Sequence, residues 1–174
     1  MEKAFINFAY QDKAFPIGSD QTISHPYTVA FQSELLDIKP REKVLEVGTG
    51  SGYQTAVLLE LKAQVFTIER QKELFHKTKQ FLPTLNYQSM FFYGDGYKGL
   101  PSFAPFDKII VTCGAPFVPE ALLGQLKLGG RLVIPVGDTD SQKMTIVDRL
   151  SEEEFKTTFL GDFSFVPMLP KKSH

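Results

Sequence analysis

The chain has 174 residues, 43% of them hydrophobic, a net charge of -1 and an isoelectric point near 6.3. This excludes a disordered chain and fits one domain, residues 1–174, with a substantial core. The charge balance argues against sequence-independent nucleic-acid binding, the single cysteine, Cys113, excludes an internal disulfide, and no apolar run approaches the ~18 residues of a membrane span. A cytoplasmic monomer with no nucleic-acid, membrane or metal partner is the default expectation.

In chain order, QTISHP (21–26) comes first. Ser24 followed by Pro26 has the form of a helix N-cap, and SHPYTVAFQSELLDIKP (24–40) reads as a helix with Tyr27, Ala30, Phe31, Glu34 and Leu35 on one face. KVLEV (43–47) is a short apolar run ended by Gly48, as in a buried strand. GYQTAVLLELKA (52–63) follows with helical spacing, Ala56, Leu59 and Ala63 on one side. QVFTI (64–68) is a second strand. RQKELFHKTKQFL (70–82) is a helix with Leu74, Phe75, Thr78 and Leu82 on one face, stopped by Pro83. QSMFFY (88–93) and FDKIIVTC (106–113) are strands three and four, VPEALLGQL (118–126) a helix, and RLVIPV (131–136) strand five. QKMTIVDRL (142–150) and FKTTFLGDFSFVPML (155–169) then read as strands with no long helix between them.

Alternation of strand and helix predicts a parallel sheet covered on both faces. The ending predicts an antiparallel edge hairpin. The expectation is an α/β fold with a seven-stranded, mostly parallel sheet. Residues 1–40 form the N-terminal helix segment, 41–137 the ligand-binding core and 138–174 the C-terminal antiparallel strands.

The strongest local signal is LEVGTGSGYQT (45–55), with glycines at 48, 50 and 52 between a strand and a helix. Open α/β sheets bind nucleotide-like ligands at such a turn. The loop is not the dinucleotide fingerprint G-x-G-x-x-G, because the third slot counted from Gly48 is Tyr53. Glu46 would repel a pyrophosphate; it can accept from a cationic amino-acid group or hold the loop. Glu69, ending the second strand, sits where an acidic residue accepts from both ribose hydroxyls. Asp95, flanked by Gly94 and Gly96, can accept from an exocyclic amine such as that of adenine.

Together, LEVGTGSGYQTA, FTIER, GDGYKGLPSFAPFDKIIVT and LKLGGRLVIPVG resemble the successive motifs of class I S-adenosylmethionine-dependent methyltransferases, which are Rossmann-like. FPIGSDQTISHPYTVA and the closing FSFVPML narrow the resemblance to the protein-L-isoaspartate O-methyltransferases, over about residues 10–169. The resemblance implies that Gly48, Thr49, Gly50, Ser51 and Gly52 line the methionine part of the cofactor, S-adenosyl-L-methionine. It puts Glu69 and Arg70 at the ribose and Asp95 and Gly96 at the adenine; Glu46 is counted with this set. Gln21, Thr22, Ile23 and Ser24 shape the substrate site, Ser24 and Thr22 as the catalytic pair, and Val166 and Pro167 line the peptide groove. Family members usually carry a further helical segment ahead of QTIS, so the expectation is either a compact or truncated version or one that needs something else to cover the substrate site. Asp20 stands where a glycine is common, and Cys113 where alanine is common.

The implied substrates are isoaspartyl-containing proteins and peptides, methylated on the free α-carboxylate. That group is ionised at pH 7, so the reaction needs positioning and not a general base. His25 is not required, Cys113 reads as packing, and no His/Cys cluster has metal-ligand spacing. The methyl ester then closes to a succinimide whose hydrolysis partly restores normal aspartyl linkages, which makes the role protein repair. Two alternatives stay open in the sequence: a same-fold methyltransferase acting on a small molecule or RNA, and a cofactor-binding protein with a degenerate substrate site.

Overall fold

The computed structural model describes Gln11 and residues 15–173. Seven strands form one sheet: β3 (Lys43–Val47), β4 (Gln64–Glu69), β5 (Met90–Tyr93), β6 (Phe106–Val111), β7 (Leu126–Gly137), β8 (Gln142–Arg149) and β9 (Phe155–Phe163). Their order is β5-β4-β3-β6-β7-β8-β9. The first five are parallel, and β7-β8-β9 is an antiparallel meander. The chain order reverses direction at β3, so the carboxyl ends of β3 and β6 open a crevice there. A small hairpin precedes the sheet, β1 (Pro16–Gly18) with β2 (Gln21–Thr22).

The central strands are apolar on both sides because both sides are covered. Val44, Val65, Ile110, Val133, Met144 and Ile146 pack with Leu36 of α1 (Pro26–Leu36) and Leu58 of α2 (Tyr53–Glu60). Leu45, Val47, Phe66, Ile109, Leu132 and Ile134 face the opposite way and pack with Leu122 of α4 (Glu120–Leu123). The expected helix over 118–126 is therefore one turn. Pro119 is its N-cap, Gly124 ends it, and β7 already pairs at Leu126. The pairing then jumps to Arg131 across a kink where Gly129 has φ 74°, which is why only 131–136 reads as a regular strand.

Helix faces differ from the sequence expectation. In α1 the buried side is Val29, Gln32, Ser33 and Leu36, while Tyr27 is 61% exposed and stacks with Phe31 and Phe163 at the surface. In α2 it is Gln54, Thr55 and Leu58. Polar residues hold these buried faces, so an apolar stripe pointed to the wrong side. In α3 (Lys72–Thr84) the expected Leu74, Thr78 and Leu82 are buried. Pro83 lies inside its last turn and does not stop it: the helix reaches Thr84, and Leu85 caps it.

Three bonds fix α1 over the sheet. Gln32 Nε2 donates to Val111 O (3.0 Å) at the end of β6, and Arg131 Nη1 donates to Leu35 O (2.9 Å). Arg131 in turn pairs with Asp148 (Nε to Oδ1, 2.7 Å). The segment entering α1 is thereby held beside the crevice.

Candidate active site

The carboxyl ends of β3, β4 and β6 floor an open cleft of about 820 Å³ of empty space, counted to its mouth. Its first wall is the turn after β3. Gly48, Gly50 and Gly52 all have positive φ (101°, 51° and 81°), a conformation L side chains rarely adopt. Gly48, Thr49, Gly50 and Ser51 line the cleft. Gly52 does not: a Cβ there would lie 2.8 Å from Leu82 Cδ1 and Thr78 Cγ2, so its role is to let α3 pack against the start of α2. Thr78 Oγ1 also donates to Gly50 O (2.6 Å), and Thr49 and Thr67 hydroxyls pair beneath the turn (2.6 Å).

Glu69 and Arg70 line the next stretch. Glu69 is 5% exposed; its Oε2 accepts from Gly50 N (2.9 Å) and its Oε1 from Gln71 N (2.7 Å). Each oxygen keeps lone pairs for a further donor. Gly96 lines the cleft, but Asp95 does not. Its Oδ1 accepts from Tyr97 N (3.0 Å), capping a short turn, and its Oδ2 from Lys171 N (3.0 Å). Arg70 Nε donates to Lys171 O (2.9 Å), so the C-terminal residues dock beside both side chains.

Glu46, counted with the cofactor set, lies beneath the turn and outside the cleft lining. It is fully buried, and Thr55 Oγ1 donates to its Oε2 (2.5 Å). Burial pushes its carboxyl up to about 7, against the opposing hydrogen bonds of Thr55 and Thr67. The structure thus favours the loop-holding role over direct contact.

The facing wall comes from peripheral chain. Gln21, Thr22, Ile23 and Ser24 all line the cleft, and so does Ile17. The β1-β2 hairpin holds them: Gly18 pairs with Gln21, Ile23 N donates to Phe15 O (2.9 Å), and Gln21 Nε2 donates to Ser19 O and Asp20 O. Ser19 and Asp20 form the turn with φ 52° and 55°, the left-handed pair of a two-residue hairpin. Glycine adopts this conformation without strain. The N-cap of α1 is His25, with Pro26 following it at the helix start, so Ser24 precedes the cap and is not it.

Val166, Pro167 and Met168 close the third side. They run beside Gly114, whose N–H donates to Val166 O (2.8 Å) and whose carbonyl accepts from Met168 N (2.7 Å). Gln142 Oε1 receives Phe165 N (2.8 Å), and its side chain fills the space a Cβ on Gly114 would need. Sequence reasoning missed Gln54, Thr112 and Met168, which also line the cleft. Thr112 is tied to Val47 O and Gly48 O. Cys113 lines it too, with a thiol that burial raises to about 12, so it stays protonated at neutral pH. Among the described residues no group of His, Cys, Asp and Glu could hold a metal, and no helix is long and apolar enough to cross a membrane.

The profile of the protein-L-isoaspartate(D-aspartate) O-methyltransferase family matches residues 1–173. A protein-L-isoaspartate O-methyltransferase from Christiangramia forsetii is 64% identical over 174 residues, 99% of this chain and 81% of that protein. One from Pseudomonas fluorescens is 50% identical over 97% of this chain and 81% of its own length. A solved protein-L-isoaspartate O-methyltransferase superposes with a TM-score of 0.84 at 28% identity over 93% of this chain, which spans 54% of that chain. A Plasmodium falciparum structure, described as of the same kind and in complex with S-adenosyl-L-homocysteine, has a TM-score of 0.76 at 26% identity, covering 92% and 81% of the two chains. The chain belongs to the protein-L-isoaspartate(D-aspartate) O-methyltransferase family.

Proposed function

We propose that this chain transfers the methyl group of S-adenosylmethionine to the free α-carboxylate of L-isoaspartyl residues in damaged proteins and peptides, acting as one domain over residues 1–174. The observation that carries the reading is a single cleft lined on one side by the glycine turn and Glu69, and on the other by Thr22, Ser24, Val166 and Pro167.

The residues present fit the cofactor. Gly50 leaves a wall that a ligand can approach closely, Gly48 lets the turn close against Thr112, and the Glu69 carboxylate, fixed by two backbone N–H groups, retains acceptor capacity for ribose hydroxyls. When bound, S-adenosylmethionine supplies an electrophilic methyl group on a sulfonium. The chain's own residues need only bring a carboxylate oxygen into line with it. A carboxylate with a pKa near 4 carries its own charge, so no proton has to be removed. Ser24 and Thr22 hydroxyls donate to the carboxylate and orient it; positioning of this kind contributes up to about 7–11 kcal/mol. Gly96 serves the adenine side, and Arg70 and Asp95 hold the segment that flanks it. Val166 and Pro167 guide the peptide, and a protonated Cys113 offers no competing nucleophile.

The test of these roles is Ser24→Ala in single-turnover methylation. Turnover falls with cofactor affinity unchanged if Ser24 serves the substrate. An equal fall in affinity assigns it to the cofactor wall or the fold.

A further inference from the structure

We infer that Gln54 is a further binding residue: its side-chain carbonyl accepts a hydrogen bond from the ammonium group of the amino-acid part of the methyl donor. The inference rests on the cofactor reading above and deepens it.

Gln54 stands in the first turn of α2, directly after the glycine turn, lines the cleft and is 6% exposed. Its amide nitrogen is committed. Gln54 Nε2 donates to Ser33 Oγ (2.9 Å), and Ser33 Oγ donates to Val29 O (2.7 Å) in α1. A serine hydroxyl has one hydrogen, and here it goes to Val29. Ser33 must therefore accept from Gln54, which fixes the orientation of the amide. Oε1 is the acceptor left over, and it is buried without a partner among the described residues. An amide carbonyl left so is costly, and a donor that reaches it is favoured.

The deficit has a chemical sign. Buried partnerless side-chain atoms near the crevice are Gln32 Oε1, Glu46 Oε1 and Gln54 Oε1, and the two amide oxygens are acceptors at any pH. A fourth, Ser89 Oγ, lies before β5, at the amino ends of the strands. Gln32 is anchored at the end of β6 and Glu46 is bonded to α2 through Thr55, so the three occupy the α1–α2 side of the sheet. What this side lacks is a donor. The substrate carboxylate has none to give. Ribose hydroxyls and adenine belong with Glu69 and Gly96, toward β4 and β5. The ammonium brings three N–H donors and a positive charge to a wall where Gln54 offers an unpaired acceptor. A substrate backbone N–H is the competing donor.

Calorimetric titration decides between them, with S-adenosylhomocysteine and its analogue lacking only the α-amino group. For Gln54→Leu the affinity for S-adenosylhomocysteine falls about tenfold or more, while that for the deamino analogue stays within about twofold. Gln54→Glu, which keeps an acceptor oxygen, recovers most of the loss. If the leucine variant fails to fold, Ser33→Ala keeps Gln54 but frees its amide, and the same selective loss appears at smaller size. Equal weakening of both ligands overturns the inference and makes Gln54 a support of the turn. Unchanged affinities with a raised KM for isoaspartyl peptide overturn it in favour of the substrate. A wild-type chain that binds neither ligand sinks the cofactor reading itself.

Discussion

The two walls of the cleft are made differently. The cofactor wall grows out of the ends of β3 and β4, and buried groups lock it: Glu69 on Gly50 and Gln71, Thr78 on Gly50, Thr49 on Thr67. The substrate wall is a two-strand hairpin and a strand-like return to Gly114, both outside the main sheet. A wall built on the sheet fails together with the fold. A wall built on peripheral chain can lose function while the protein stays folded.

Gly52→Val breaks the first wall and should have the largest effect. It combines a φ of 81° with a Cβ 2.8 Å from Thr78 and Leu82. A loss of about 2–4 kcal/mol is expected, combining backbone strain and overpacking, read as a lower urea midpoint together with weaker cofactor binding. Unchanged stability would mean that α3 does not brace the turn.

Glu46 gives the next effect, through pH. Its folded value near 7 lies above the ordinary 4.5, so the folded state holds a proton that the unfolded state releases between these values. Stability from this group is full below pH 4.5 and is lost as pH rises through about 7. At about 1.36 kcal/mol per pH unit, the fall is roughly 3 kcal/mol. Glu46→Gln should remove that slope in denaturation curves taken from pH 4.5 to 8, and an unaltered slope would assign it to other groups.

Ser24→Ala, on the second wall, should slow methyl transfer by roughly 10- to 100-fold, the worth of one hydrogen bond to a charged group, with the urea midpoint unmoved. Asp20→Gly is the mildest: relieving a left-handed φ of 55° should stabilise the hairpin by at most about 1 kcal/mol. A destabilised Asp20→Gly variant would show that the aspartate side chain supports the turn.

The same contrast explains what the sequence made legible. The central strands β3, β4 and β6 announced themselves because buried strands are largely apolar runs, and the glycine turn because three glycines after a strand have few other uses. The buried faces of α1 and α2 did not, because Gln32, Ser33, Gln54 and Thr55 sit there in place of aliphatic residues. The QTIS segment carried too little local pattern to separate a helix cap from a site. Only its resemblance to a family pointed to the substrate wall, and in the structure the cap falls one residue later, at His25. Asp95 looked free to meet a ligand; its bond from Tyr97 N is local, but the one from Lys171 N joins residues 76 positions apart, beyond any local reading.

Methylation of an isoaspartyl carboxylate in this cleft has a direct readout. Transfer of labelled methyl from S-adenosylmethionine to an isoaspartyl peptide, beside the same peptide with a normal aspartyl linkage, tests it directly. Base-labile label on the isoaspartyl peptide alone is the expected result. Cofactor binding with no label on that peptide, or equal label on both, would contradict it.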